Sequence, residues 1–158
     1  MSEELPTGVR RMLSAADRLG LPIELRVRPA ANSLPEAAAI LGIEPGDIAK
    51  TLVVRLPVGD HLFIVVGGDA TFSWPKLRAL LGVNKLSMPD PDGALQATGY
   101  ERGTITPIGS QPAWPVYIDE RLRGRRVAMG AGGHGYSAFV DVDDLVGALD
   151  ATLSDLVR

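Results

Sequence analysis

Cysteine is absent from this 158-residue chain, which excludes disulfides and thiolate nucleophiles and fits a reducing cytoplasm. Histidine is nearly absent too. His61 and His134 are the only two, so a histidine-rich metal centre is impossible, and no carboxylate grouping argues for a metal held by oxygen alone. No apolar run approaches the roughly 18 residues of a membrane span, and the start, Met1-Ser2-Glu3-Glu4, is acidic. Neither a signal peptide nor a membrane partner is expected. The net charge of −3 argues against a protein that coats nucleic acid, while leaving room for one that grips a single nucleic-acid end through a local patch.

What is present fits one globular domain over residues 1–158. The 46% hydrophobic and 22% charged content argues against disorder, and a chain of this length buries about two-thirds of its unfolded surface. The most telling residue is a lysine in an apolar strand. Ile48-Ala49-Lys50-Thr51-Leu52-Val53-Val54 is β-branched and nearly continuously apolar, with Lys50 and Thr51 its only polar members. A buried ammonium without a partner loses its proton sooner than it stays charged. Lys50 therefore either snorkels to an edge or faces a cleft that supplies an anion. Thr51 points to the opposite sheet face, where core packing is its default role.

A second unusual stretch, Thr98-Gly99-Tyr100-Glu101-Arg102-Gly103-Thr104-Ile105-Thr106-Pro107-Ile108-Gly109, holds three glycines and a proline without helical or strand period. Such a loop tends to present backbone N–H groups to something. Together, strand lysine and donor-rich loop suggest a site for an anionic or carbonyl-bearing ligand.

The surrounding pattern predicts helices over 9–19, 35–41, 74–82, 90–97 and 143–149, the last one extending into the tail toward Arg158. Strands are predicted over 23–27, 48–56, 61–66, 116–119, 126–129 and 137–142, with Pro57-Val58-Gly59-Asp60 as a hairpin connection. The fold class is α+β, with one central mixed or mostly antiparallel sheet, flanking helices, and Lys50 on a central strand. The basic run Arg121-Leu122-Arg123-Gly124-Arg125-Arg126 reads as a solvated hairpin connection between two strands or as a phosphate-contacting edge. Gly130-Ala131-Gly132-Gly133-His134-Gly135 matches the dinucleotide fingerprint formally but leads into a strand instead of opening a helix, so that reading fails. A glycine-rich connection approached closely by a ligand, or a plain turn, remains. His134 there is either an accessible general base or a solvent-facing side chain.

In order and spacing, Ala49-Lys50-Thr51-Leu52, Thr98-Gly99-Tyr100, Gly103-x-x-x-Pro107-x-Gly109 and the cluster ending at Gly135 resemble the YbaK/EbsC family over about residues 22–149. These are editing-type aminoacyl-tRNA deacylases related to the editing domain of bacterial prolyl-tRNA synthetase. The resemblance implies that Lys50 contacts the phosphate or terminal ribose of the tRNA acceptor end. It also implies that Gly103 to Pro107 bind around the aminoacyl ester, and that Gly132 and Gly135 lie in a turn beside the same pocket. Lys50, Gly103 and Pro107 are then the candidate catalytic set, and Arg28, Thr98, Gly99, Tyr100, Gly132, His134 and Gly135 the candidate substrate-binding set. No cofactor or metal is implied. The partners are a tRNA acceptor end carrying an aminoacyl ester and, in one variant, a synthetase.

The chain departs from the cysteinyl-tRNA(Pro) deacylase pattern at Arg28, where that branch has an aromatic residue. It departs again at Gly130, Gly133 and His134, where that branch has serine and basic residues. Cysteine as the edited amino acid therefore does not follow. The expected activity is hydrolysis of a small aminoacyl ester on mischarged tRNA, with backbone donors stabilising the oxyanion and a steric sieve setting specificity. A non-catalytic tRNA-end or nucleotide-binding module and an ordinary small-molecule esterase are the competing classes.

Overall fold

The computed structural model describes residues 4–158. The amphipathic stripe near the start folds as α1 (Thr7–Arg18), burying Val9, Met12, Ala15 and Ala16. Strand β1 (Glu24–Val27) follows. The next helix, α2 (Leu34–Leu41), starts where the Ser33 hydroxyl accepts from Glu36 N–H and stops at Gly42 in the left-handed region. The lysine-bearing segment is β2 (Ala49–Arg55), paired antiparallel with β3 (His61–Gly67) in the expected hairpin. Two capped helices come next, α3 (Trp74–Leu81) behind Ser73 and α4 (Pro91–Thr98) behind Asp90. Strands β4 (Val116–Asp119), β5 (Arg126–Gly130) and β6 (Tyr136–Asp141), helix α5 (Val142–Leu149) and strand β7 (Thr152–Ser154) complete the order.

This α+β body has two sheets. One runs β1–β6–β5, all antiparallel; the other runs β2–β3–β4–β7, with β3/β4 and β4/β7 parallel. The parallel pairs are joined by long excursions through other elements, as their geometry demands. Strand β3 is buried on both faces: Phe63 and Val65 enter the core with Met12, Ile118, Met129 and Leu145, while Leu62, Ile64 and Val66 pack with Leu77 and Leu156. Its continuous apolar run is the signature of that position. Among the described residues no helix is long and apolar enough to cross a membrane.

Three expectations change. The tail does not prolong α5: Asp150 turns left-handed (φ 52°), and β7 adds a parallel strand beside β4. The order β2–β3–β4–β7 puts Lys50 on an edge strand of its sheet, not a central one. The outer side of β2 is pinned only at its ends, by an Ile48–Ala128 bridge to β5 and an Arg55–Ser87 bridge. The basic run is not a hairpin turn, since β4 and β5 belong to different sheets. Its members Arg121, Arg125 and Arg126 are ion-paired with Asp119 and Asp155, Asp47, and Asp141 and Glu24 respectively, which removes much of its appeal as a phosphate edge.

Candidate active site

Because β2 is pinned only at its two ends, the stretch from Ile48 to Val53 faces a cavity of about 750 Å³, a size suited to a small ligand. Helix α2 contributes Leu34, Ala37 and Leu41; the ends of β5 and β6 contribute Met129, Gly130 and Ser137; Met88, Pro89 and Pro91 on one side and Arg102, Gly103 and Ile105 on another close the remaining sides. Among the described residues three cations, Arg28, Lys50 and Arg102, line this space, and no carboxylate does. In a chain with more acidic than basic residues, that local imbalance favours an anionic guest.

Lys50 Nζ donates to Ala70 O at 2.8 Å. An ammonium has three N–H donors, so two remain for a ligand. Along β2, Ala49, Thr51 and Val53 share the face turned toward the first core, whereas Lys50, Leu52 and Val54 share the other. Thr51 does more than pack: its Oγ1 is buried without a hydrogen-bond partner, and the residue lines the cavity. A buried hydroxyl left unmatched costs free energy unless a ligand or water completes it.

The loop after α4 is held from behind. Arg11 on α1 donates to Gly99 O at 2.6 Å and lies 4.2 Å from the centre of the Tyr100 ring. Tyr100 is fully buried and donates its hydroxyl to Ile108 O at 2.7 Å; burial holds its phenol above the usual range, with Arg11 opposing. The Thr98 hydroxyl donates to Ala94 O. Thr104 N–H bonds Glu101 O, and Gly132 N–H bonds Thr104 O. The N–H groups of Gly103 and Ile105, at the cavity wall, have no hydrogen-bond partner among the described residues.

Two glycines show why this region tolerates no side chain. A Cβ on Gly130 would sit 2.5 Å from Ile105 O, so the loop backbone rests directly on the end of β5. A Cβ on Gly132 would sit 2.5 Å from Gly8 O. The glycine cluster is thus approached closely, but by the protein's own backbone.

Of the residues singled out from sequence, the structure brings Lys50, Gly103 and Arg28 to the cavity. Pro107 is buried behind the loop, and Thr98, Gly99 and Tyr100 lie outside the lining, where Thr98 and Tyr100 spend their hydroxyls inside the protein and Arg11 holds the Gly99 carbonyl. Gly132 and Gly135 are also outside the lining. His134 is exposed, 3.5 Å from Glu101 Oε2 and beside Gly103. Sequence reasoning missed Thr51, Arg102, Ser137 and the rim formed by Met88, Pro89 and Pro91. Only Thr51 carried a usable signal, as the second polar residue of an apolar strand.

The chain belongs to the aminoacyl-tRNA editing domain family, which matches residues 28–148. It is 36% identical to the proline–tRNA ligase of Shouchella clausii over 115 residues, 72% of this chain and 20% of that protein. It is 33% identical over 91 residues to the uncharacterized protein YwhH of Bacillus subtilis, covering 58% of this chain and 57% of that one. The chain thus spans about a fifth of the length of the first curated relatives it matches. Its fold superimposes with a TM-score of 0.89, at 26% identity, on a candidate trans-editing enzyme for prolyl tRNA synthetase, covering 98% of this chain and 99% of the other.

Proposed function

We propose that this protein is a trans-editing deacylase that hydrolyses small aminoacyl esters from the 3′ end of mischarged tRNA. The observation that carries the reading is the cavity itself, with three cations, no carboxylate and a wall of loop backbone bearing unpartnered N–H groups. An aminoacyl-adenosine end presents both a phosphate and an ester carbonyl to such a wall.

In this reading water adds to the ester carbonyl carbon, and the oxygen that becomes negative is met by the N–H groups of Gly103 and Ile105. Each such donor contributes about 3 kcal/mol in known cases. The carbon–oxygen bond to the ribose then breaks, and the ribose oxygen leaves with a proton derived from the water. Lys50 holds the phosphate or ribose and sets the register of the ester. Gly103 supplies the left-handed turn (φ 86°), and buried Pro107 stiffens the loop. Thr98, Gly99 and Tyr100 act by supporting that loop, Gly132 and Gly135 by seating the turn beside it, and His134 by flanking Gly103. An ester is already activated, so no strong nucleophile is required.

Specificity is proposed to be steric. A pocket walled by backbone cannot move aside as a side chain can, so alanyl, seryl, cysteinyl and threonyl groups are accepted while prolyl and large aromatic ones are rejected. Arg28 adds donors and favours hydroxyl-bearing groups over a thiol. A panel of mischarged tRNAs tests the reading. Seryl- or threonyl-tRNA should be cleared fastest, with Arg28→Ala narrowing the difference from cysteinyl-tRNA. Fastest clearance of cysteinyl-tRNA with an unchanged ranking in Arg28→Ala removes the role given to Arg28.

The alternative, a non-catalytic module that holds a tRNA end for a synthetase, draws on the lack of any carboxylate or imidazole in the cavity lining among the described residues. It predicts binding of every charged tRNA in the panel and turnover of none.

A further inference from the structure

Outside the cavity, Arg11 is held by the Gly99 carbonyl. Arg18, Arg123 and Arg158 have no side-chain partner among the described residues and do not line the hollow that Arg55, Arg78 and Lys85 share. The remaining cations fall into two groups. Arg10, Arg26, Lys76, Arg121, Arg125 and Arg126 are each ion-paired with a carboxylate. Arg55, Arg78 and Lys85 are not: among the described residues none makes a side-chain hydrogen bond or an ion pair, yet they converge on one hollow of about 540 Å³. Pro57, Asn84 and Ser87 also line it, and among the described residues no carboxylate does. The hollow is built, not incidental. Arg55 N–H donates to Ser87 O at 2.7 Å and Ser87 N–H returns to Arg55 O at 3.2 Å, which fastens the 84–87 segment to the end of β2. Arg78 stands in the last turn of α3.

This hollow lies next to the candidate active site, by way of an intermediate hollow with which each shares wall residues. Met88 and Pro89 line both the cavity and the intermediate hollow, and Arg55 and Ser87 line both that hollow and the cationic one. The intermediate hollow holds the His61 and Trp114 rings, 5.3 Å apart, a surface suited to unpaired bases. Its one carboxylate, Asp90, is engaged at the start of α4, where Oδ1 accepts from Gly93 N–H at 2.7 Å. Side by side along this surface therefore stand three cations at the cavity, the aromatic rings of the intermediate hollow and three more cations. Like charges gathered without counter-charge repel one another, and a polyanion relieves that repulsion.

We propose that the Arg55–Arg78–Lys85 hollow seats the sugar–phosphate backbone of the tRNA acceptor stem, while the terminal nucleoside occupies the cavity. This rests on the reading of the protein as a tRNA-editing deacylase and adds the surface that separates a whole tRNA from a short ester. Phosphate contacts fix register and orientation and make affinity salt-dependent. Removing this hollow should therefore weaken binding of the stem without altering chemistry on a substrate that has none.

The test compares wild type with R55A/R78A/K85A, using a fluorescent uncharged RNA minihelix that ends in a single-stranded 3′ overhang. Affinity for the minihelix should fall about 10- to 100-fold near 0.1 M salt, and the slope of log affinity against log salt should flatten by about 2 to 3. The charge-conserving R55K/R78K/K85R variant should recover most of the affinity, and K85A alone should give a smaller loss in the same direction. With aminoacylated minihelix, KM should rise with kcat unchanged, whereas hydrolysis of an aminoacyl-adenosine should match wild type. Unchanged affinity and salt slope in the triple variant overturn the proposal. Uncharged RNA needs no turnover, so the two readings separate: loss of binding in a protein whose wild type hydrolyses no ester would sink the deacylase and keep the stem seat.

Discussion

Gly130→Ala is the most discriminating substitution because its whole effect is aimed at one loop. Gly130 is not among the glycines of this chain with a positive φ, so alanine brings no backbone strain of its own. Its new methyl would lie 2.5 Å from Ile105 O and 3.2 Å from Thr104 O. Relieving that overlap requires the loop carbonyl to retreat by about 0.5 to 1 Å. Overpacking of this kind costs about 1–3 kcal/mol, which lowers the melting temperature by about 2–10 °C in a chain of this length. The protein remains folded. The effect on turnover should be far larger, because Gly103 and Ile105 move with the loop and a displacement near 1 Å at a reacting group lowers rate about 100-fold. Single-turnover hydrolysis of a small aminoacyl-tRNA, read beside equilibrium binding of uncharged tRNA, separates the two effects. The expected result is a rate down about 100-fold with affinity within about threefold. A variant that loses melting temperature as described but keeps its wild-type rate would remove the loop N–H groups from the chemistry.

Lys50→Ala should reduce deacylation at least 100-fold while the melting temperature stays within about 3 °C, since the lost bond to Ala70 O is offset by removing an ammonium from an apolar strand; equal loss of folding and activity would make Lys50 structural. Gly147→Ala, in α5 with nothing within 4 Å of the new methyl, should raise stability by about 0.5–1 kcal/mol, seen as a melting temperature up by a few degrees with rate unchanged. Acid sensitivity has a specific source. Lys76, and after it Arg121, hold the Asp155 carboxyl down to about 2. A carboxyl depressed in the folded state stabilises above its unfolded value near 4 and loses that contribution as pH falls toward 2. Thermal melts between pH 5 and 2 should therefore show a steeper decline in wild type than in Asp155→Asn.

Much of the fold was legible because local chemistry and tertiary role agree. Ser33, Ser73 and Asp90 cap the helices they precede, and Gly42, Gly82 and Gly99 end them in the left-handed region. The continuous apolar run of β3 announced burial on both faces. The failures share a cause: they depend on contacts distant in sequence. Nothing in Thr152-Leu153-Ser154 says that β4 will offer a parallel edge. Nothing around Lys50 says that β2 will lie at the sheet margin, pinned by Ala128 and Ser87. At the site, Lys50 and Gly103 stood out because a charge in an apolar strand and a positive-φ glycine in an aperiodic loop are locally costly. The glycines at 130 and 132 were visible as unusual, but their cause was not: Gly130 accommodates Ile105 O and Gly132 accommodates Gly8 O, both far along the chain. Tyr100 looked like a ligand contact and is instead a buried strut between Arg11 and Ile108.

In the proposed reading the ester carbonyl sits against the 103–105 backbone within the cation-lined cavity. A structure of the protein bound to a non-hydrolysable, amide-linked seryl-adenosine tests it most directly. The acyl oxygen is expected about 3 Å from the Gly103 or Ile105 nitrogen, with Lys50 Nζ turned toward the phosphate or ribose. An analogue bound with its carbonyl directed away from that loop, or bound outside the cavity, would contradict it.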